Sequence, residues 1–507
     1  MKLLPKVLLL VLLGQAPLSA QLFNIAEDLG YVTNRFERVI VHKDTIACIG
    51  LAQNDSLQQG VAVALYDSTG QRLASRLLLD DEGGNLAMYH SAGGISPANH
   101  GGYIVIAYTG GNAIFFKLDE NLNEEFRHQY TNNGEGGNYN YYAPIPLGDG
   151  YLIYGYIYRD NDLPDPFVRI VDEQGQTLRL NFYGEYESRD IYQDAQLIGD
   201  SILVAGGQRR SALGGGYSKN FFHRIRLSDG ALLDSWESSV NPDMGWLRQL
   251  FVLEDGDIIT IGQQPLEIID ENTFIVQPML TRLNGNFETV WQQPIWRSGY
   301  HIWRDGLYEI QQVSDGYFVG SGHLSTEIDG DLTRAGWLFK FTAFGDSLWS
   351  RYYLPPFELE GNPQIGGSFF NFGELSSGHL VSGGTASGDG PRRCWIIKTD
   401  ADGCQGETPC EVLTGVVEAE PMEGRGIQVF PNPASRHLTV AWPGAAPTGT
   451  GYFTLYSMQG QAVWSVTKFC APEILLSLPV LPPGVYALRV EVEGQVWVER
   501  VVIKGKG

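Results

Sequence analysis

Apolar and polar residues alternate in short runs along nearly the whole chain, and turn residues break the runs at regular distances. One unit is a turn followed by a strand that ends in small residues. It reads HKDTIACIG (42–50), GGYIVIAYTGG (101–111), GDGYLIYGY (148–156), GDSILVAGG (199–207), DGDIITIGQ (255–263), DGYFVGSGH (315–323) and SGHLVSGGT (377–385). Asp-Gly, Gly-Asp and Ser-Gly readily take the positive φ of two-residue hairpins, so each copy predicts strand, tight turn, strand. A second unit, a strand running into another turn, recurs at VALYDSTGQ (63–71), FFKLDENLN (115–123), VRIVDEQGQ (168–176), HRIRLSDGA (223–231), LTRLNGNFE (280–288), LFKFTAFGD (338–346) and WIIKTDADG (395–403). From Asp67 to Asp400 the six steps average roughly 55 residues, within the range of propeller repeats with longer loops.

Helical periodicity is hard to find after residue 20. Each repeat therefore predicts four short antiparallel strands. Such a sheet cannot bury both faces alone, whereas sheets packed face to face around an axis can. The pattern predicts an all-β chain with a seven-bladed β-propeller over residues 21–403, six or eight blades being the readings if an end is miscounted. A β-solenoid would need shorter repeats. The seventh repeat loses its last strand at Cys404, and the segment Leu22 to Arg35 is the expected replacement that closes the ring.

Residues 404–426 break the pattern and read as an acidic linker carrying Gly and Pro. Alternation resumes in residues 427–507, as about seven short strands that predict a small Ig-like β-sandwich. Its opening stretch, IQVFPNPASRHLTV, holds Pro431, Asn432 and Pro433. Proline cannot donate to a strand ladder, so this segment is expected at an edge or a turn.

Composition narrows the partners. The chain has 507 residues, 35 Lys+Arg against 58 Asp+Glu, and a net charge of −23. That balance repels phosphate backbones and anionic lipid surfaces, which argues against nucleic-acid and membrane-surface partners. Lys2 and Lys6, the apolar run VLLLVLL and the small residues APLSA form an export signal over residues 1–20, with a cut expected between Ala20 and Gln21. No later run is long and apolar enough for a membrane helix. In an oxidising compartment, Cys404 and Cys410, flanking a short loop, are expected to form a disulfide. Cys48, Cys394 and Cys470 lie in apolar runs and read as small buried hydrophobes, and no Cys/His spacing suggests zinc.

The pieces VFPNPASRHLTV, FTLYSMQGQAVWSV (turning at Gly460), LPPGVYALRVEV (with Gly484 and Tyr486) and the closing VERVVIKGKG fall in the order and spacing of a known module. Residues 426–507 resemble the C-terminal sorting domain of Bacteroidetes proteins exported by the type IX secretion system. The resemblance implies a two-step route: the signal peptide crosses the inner membrane, and the sandwich addresses its cargo to an outer-membrane translocon. It implies an extracellular or outer-membrane-surface location and the secretion machinery as a partner. Nothing in the kinship speaks to what the propeller does.

Catalytic signatures are mostly absent: there is no GxSxG, HExxH or phosphate loop. No cofactor is expected. Calcium is the weak exception, at the acidic loops with Asp160, Asp162 and Asp165 and with Asp329 and Asp331, where solvated loops are the better reading. Six residues before the first hairpin of a repeat stand Arg38, Asp194, Gln249 and Glu309, which are placed to face a central channel. Asp194 and Glu309 as acid and base of a glycoside hydrolase are the sharp reading. The plain one is that a wet channel tolerates polar residues. Loops between repeats combine Gly, Asn and aromatics, which gives Tyr139, Tyr141, Trp246, Tyr300 and Trp303 as recognition candidates, against packing between blades. The sequence thus favours non-enzymatic binding of an extracellular protein or glycan. A carbohydrate-active enzyme or a structural surface component are the rivals.

Overall fold

The computed structural model describes residues 21–504 apart from 89–93, 110–111, 131–138, 143, 159–162, 186–187, 212–218, 239–245, 269–273, 296–305, 329–330, 357–365, 388–391, 407–426, 433, 435, 443–448, 458–461, 470, 480, 483 and 493–494. The chain divides near residue 412 into two compact units.

Among the described residues the first unit is all β and holds seven antiparallel sheets in chain order. Sheet 1 runs Thr33–His42, Thr45–Gln53, Gln59–Tyr66, Arg72–Leu78, and the others repeat this up-and-down path. Sheet 3 differs in its first strand, which is split into Tyr139–Tyr141 and Ile145–Leu147, both paired with Gly150–Tyr158. In sheet 7 the fourth strand comes from the other end of the chain. Phe23–Glu27 pairs antiparallel with Arg393–Thr399, Phe23 opposite Lys398 and Glu27 opposite Cys394. This is the closing strand expected from the segment 22–35.

Neighbouring sheets share apolar clusters. Sheets 1 and 2 meet through Ile49, Val63, Val105 and Phe116, sheets 3 and 4 through Leu152, Tyr192 and Phe221, and sheets 7 and 1 through Val39, Ala62, Val381 and Ile396. The arrangement is cyclic and propeller-like. Second strands are buried on both faces, as in Thr45–Gln53, while fourth strands such as Arg72–Leu78 keep an exposed side.

The small residues that end the second-strand unit have a steric cause. The first strand of sheets 1, 4, 5, 6 and 7 carries a register shift, between Phe36/Arg38, Tyr192/Asp194, Leu247/Gln249, Leu307/Glu309 and Phe369/Asn371. Opposite each shift stands a glycine: Gly50, Gly207, Gly262, Gly322 and Gly384. A Cβ on Gly50 would lie 1.8 Å from the Arg35 carbonyl oxygen, and on Gly207 2.1 Å from that of Ile191. The bulge presses a carbonyl onto the second strand, and only glycine leaves room.

The second unit carries seven described strands in two sheets, one of Gln428–Phe430, His437–Ala441 and Glu473–Ser477, the other of Ala462–Phe469, Thr450–Ser457, Gly484–Val492 and Gln495–Ile503. Leu438, Val440 and Leu476 from the first sheet pack with Phe453, Leu455, Leu488 and Val501 from the second. The period-two burial of Gly484–Val492 matches its alternation in sequence.

Candidate functional site

The first strands hold equivalent polar side chains just past each bulge: Arg38, Asp194, Gln249, Glu309 and Asn371. Three of them, Asp194, Gln249 and Asn371, hydrogen-bond to the next sheet, at the residue that follows the equivalent position there. Asp194 Oδ2 accepts the Leu250 N–H at 3.1 Å, and Gln249 Oε1 accepts the Ile310 N–H. Glu309 has the Phe372 amide among the contacts that favour its charged form. Asn371 Oδ1 accepts the Val39 N–H at 2.6 Å while its Nδ2 donates to the Val39 carbonyl at 2.7 Å. The bulge releases these backbone groups from their own ladder, and a side chain one sheet away satisfies them. Each such bond forestalls a penalty of about 1–3 kcal/mol for an unpaired buried amide.

Arg38 breaks the sequence of neighbour-to-neighbour bonds. Its Nη2 lies 3.7 Å from Glu309 Oε1, a partner two sheets away around the ring. Burial raises the Glu309 carboxyl above its ordinary range, and the Arg38 charge opposes that rise. Burial likewise pushes Asp194 up to about 7, against the pull of the Leu250 amide and the Tyr154 hydroxyl, which donates to Oδ1 at 3.0 Å. Raised carboxyls are what general acid catalysis requires. Here, however, the Asp194 oxygens are engaged by Leu250 and Tyr154, and Glu309 Oε1 by Gln311 and the nearby Arg38, while its Oε2 is buried. Asp194, Gln249 and Asn371 thus join neighbouring sheets.

The two ends of the ring differ. At one end the first-to-second and third-to-fourth strand connections are tight turns. Asp67, Asp119, Asp172, Asn284 and Asp400 each use Oδ1 to accept the backbone N–H groups two and four residues on, as with Asp119 and Asn121 (2.8 Å) and Asn123 (2.7 Å). Thr342 Oγ1 does the same for Phe344 and Asp346. At the other end run the second-to-third connections such as 54–58 and the described parts of the sheet-to-sheet ones, such as 79–88 and 354–356.

Of the recognition candidates, Tyr141 is corrected. It is 2% exposed, stacked on Tyr130 at 5.7 Å and edge-on to Phe167 at 5.1 Å, so it packs sheet 2 against sheet 3 and offers no surface. Trp246 opens Trp246–Val252 opposite Gln263 and is half-buried. The backbone of Tyr139 pairs with Ile157. The side chain of Tyr139, all of Tyr300 and Trp303, Asp160, Asp162 and Asp329 lie outside the described residues. So does Cys410, while Cys404 is buried. No group of three or more metal-binding side chains occurs among the described residues.

In the second unit, the Pro-Asn-Pro segment proves to be a clasp on the last strand. Asn432 Nδ2 donates to the Arg500 carbonyl at 2.7 Å, and its Oδ1 accepts the Val502 N–H at 2.8 Å. Ala434 continues the pairing, its N–H bound to the Val502 carbonyl at 2.7 Å and its carbonyl to the Lys504 N–H at 2.8 Å. The Phe430–Pro431 bond is cis. Gly484 opens the strand that carries Tyr486, whose hydroxyl donates to the Pro482 carbonyl at 2.8 Å while its ring joins the core. Pro433 and Gly460 lie outside the described residues.

Residues 428–504 match the family described as the secretion system C-terminal sorting domain. No curated protein matches the chain. Similar solved structures include Kuenenia stuttgartiensis hydrazine synthase, 11% identical over 59% of this chain and 78% of that one, with a TM-score of 0.39. Kluyveromyces lactis Hsv2 is 9% identical over 75% of this chain and 100% of its own, with a TM-score of 0.35. A subtype N10 neuraminidase-like protein of A/little yellow-shouldered bat/Guatemala/060/2010 is 8% identical over 74% and 100%, with a TM-score of 0.34.

Proposed function

We propose that the mature protein is a seven-bladed β-propeller over residues 21–403 that binds an extracellular protein or glycan, carried by an Ig-like sorting sandwich over residues 427–507. The C-terminal sorting tail indicates export through the type IX system to the cell surface or beyond. Residues 1–20 are the signal peptide in this reading, and 404–426 the linker with a Cys404–Cys410 bond. The observation that carries the binding reading is the contrast between the two ends of the ring. One end is committed to near-identical turns whose side chains are spent on their own backbone. The other end carries the longest connections, such as the one between Leu78 and Ile95, the usual place of recognition on a repeat scaffold. Against catalysis by the pair stands the use of Asp194 in joining sheets through the Leu250 amide.

Glycan arrays and surface pull-downs with the mature chain test the proposal. Trp246→Ala and Trp303→Ala are expected to weaken binding by about 1–3 kcal/mol with little change in melting temperature. A loss of about 3–5 kcal/mol in stability would instead mark both rings as packing between sheets and overturn their assignment.

A further inference from the structure

The third-to-fourth strand turns that open at Asp67, Asp119, Asp172, Asn284, Thr342 and Asp400 each set an acid four residues from a neutral partner. Asp119 Oδ2 accepts the Asn123 side-chain amide at 2.9 Å, and Thr342 Oγ1 donates to Asp346 Oδ2 at 3.2 Å. Asp67, Asp172 and Asp400 are followed at the same spacing by Gln71, Gln176 and Cys404. Sheet 5 reverses the acid and the amide. There Asn284 Nδ2 donates to Glu288 Oε2 at 2.8 Å, and Asn284 Oδ1 accepts the Asn286 and Glu288 N–H groups, each at 2.9 Å. The backbone closes the same turn, Asn284 N–H to the Glu288 carbonyl and Phe287 N–H to the Asn284 carbonyl, both at 2.8 Å. Arg224 of sheet 4 donates to the Gly285 carbonyl. Of the six turns this is the one whose leading residue is followed by glycine. A Cβ on Gly285 would meet nothing nearer than the Gly256 carbonyl oxygen at 3.9 Å, so this side of the turn is open.

We propose that Asn284-Gly285 is a deamidation site, held latent by the Glu288 clasp and one-way once used. Glycine carries no Cβ, so the backbone nitrogen after Asn284 can approach the side-chain carbonyl with the least obstruction. In the reaction the Gly285 nitrogen bonds to Asn284 Cγ, the Cγ–Nδ2 bond breaks, and ammonia leaves with the amide proton. Water then opens the succinimide at one of its two carbonyls and leaves aspartate or iso-aspartate. In the closed turn both ends of the Asn284 amide are bonded, so Cγ cannot swing toward the Gly285 nitrogen until the turn opens. After reaction the clasp cannot re-form. Aspartate at position 284 sets a second carboxylate against Glu288, a combination absent from the other five turns. Iso-aspartate lengthens the backbone by a methylene and draws the acceptor away from its two N–H groups. The modification therefore marks chains in which the sheet 5 hairpin has opened, and it keeps that hairpin loosened.

The test incubates the full chain at mildly alkaline pH, folded and in urea, and follows peptides carrying residue 284 by mass spectrometry. The folded parent is expected to deamidate at Asn284 at least about tenfold more slowly than the unfolded chain, as for a site reached through local opening. Glu288→Ala is expected to raise the folded-state rate severalfold. Glu288→Gln, whose side-chain carbonyl still accepts the Asn284 amide, is expected to restore the slow rate. Asn284→Asp should melt below the parent at neutral pH. The double variant Asn284→Asp/Glu288→Gln, which recreates the acid-and-amide clasp of Asp119 and Asn123, should recover the loss. A folded rate equal to the unfolded one, a Glu288→Ala rate no faster than the parent's, or no deamidation in urea overturns the proposal. So does an Asn284→Asp variant that melts as the parent does.

Discussion

Asp194 and Asn371 occupy the same place in two sheets and do the same work with different chemistry. Each accepts the amide of the residue after the next sheet's bulge position, but only Asp194 can carry a charge. With its carboxyl pushed up to about 7, the folded state holds the proton more tightly than the unfolded chain. The stability this provides is complete below about pH 4 and is lost as pH rises through about 7, on the order of 2–4 kcal/mol. Asp194→Asn should keep the Leu250 bond and flatten that decline, so the variant should melt higher than the parent at pH 8 and about equally at pH 4. Melts across this range decide it, and a parent curve that rises between pH 5 and 8 refutes the burial argument. These positions were legible as a constant offset of six residues before a turn. The same offset before Ser377-Gly378 yields Asn371, which the reading from sequence passed over. That their side chains join sheets was not legible, because the partner amides lie about 55 residues or more away and in one case on the far side of the ring closure.

At the level of the strand, the glycine that ends the second-strand unit stands opposite a bulge in five of the sheets. The sequence shows small residues there, but the reason is a carbonyl on a different strand, which no local pattern records. Gly384→Ala places a Cβ 1.8 Å from the Ser368 carbonyl oxygen and should cost roughly 2–4 kcal/mol. Gly148→Ala, where a Cβ meets nothing within 4 Å, should be nearly neutral, and chemical denaturation of the pair checks both. Asn432→Ala removes both side-chain bonds to the last strand of the second unit and should destabilise that unit by about 1–3 kcal/mol, read as earlier proteolysis of the C-terminal region. The aromatic loops show the opposite limit of sequence reading. Tyr, Gly and Asn in a connection suit a recognition surface and an inter-sheet wedge equally, and Tyr141 turned out to be the wedge.

For the whole molecule, turn spacing was enough to anticipate a ring of four-stranded sheets and its closure, since both follow from counting strands. No partner was legible, because the connections between sheets repeat nothing from which one could be read. Deleting residues 427–507 removes the sorting tail and should strand the rest of the protein in the periplasm of its native host. Fractionation checks this, and normal appearance outside the cell would refute the sorting role. The closing strand also sets a timetable. Phe23–Glu27 precedes all the other described strands of the seven sheets, yet its partner ends at Thr399. Synthesised or threaded from its N-terminus, the protein must keep Phe23 and Ile25 unpaired while six sheets and most of a seventh take shape behind them. Until then sheet 7 has an open edge, so the ring is the last thing to finish, and an unlatched chain remains in the interval for an export machine or a holding chaperone to grip.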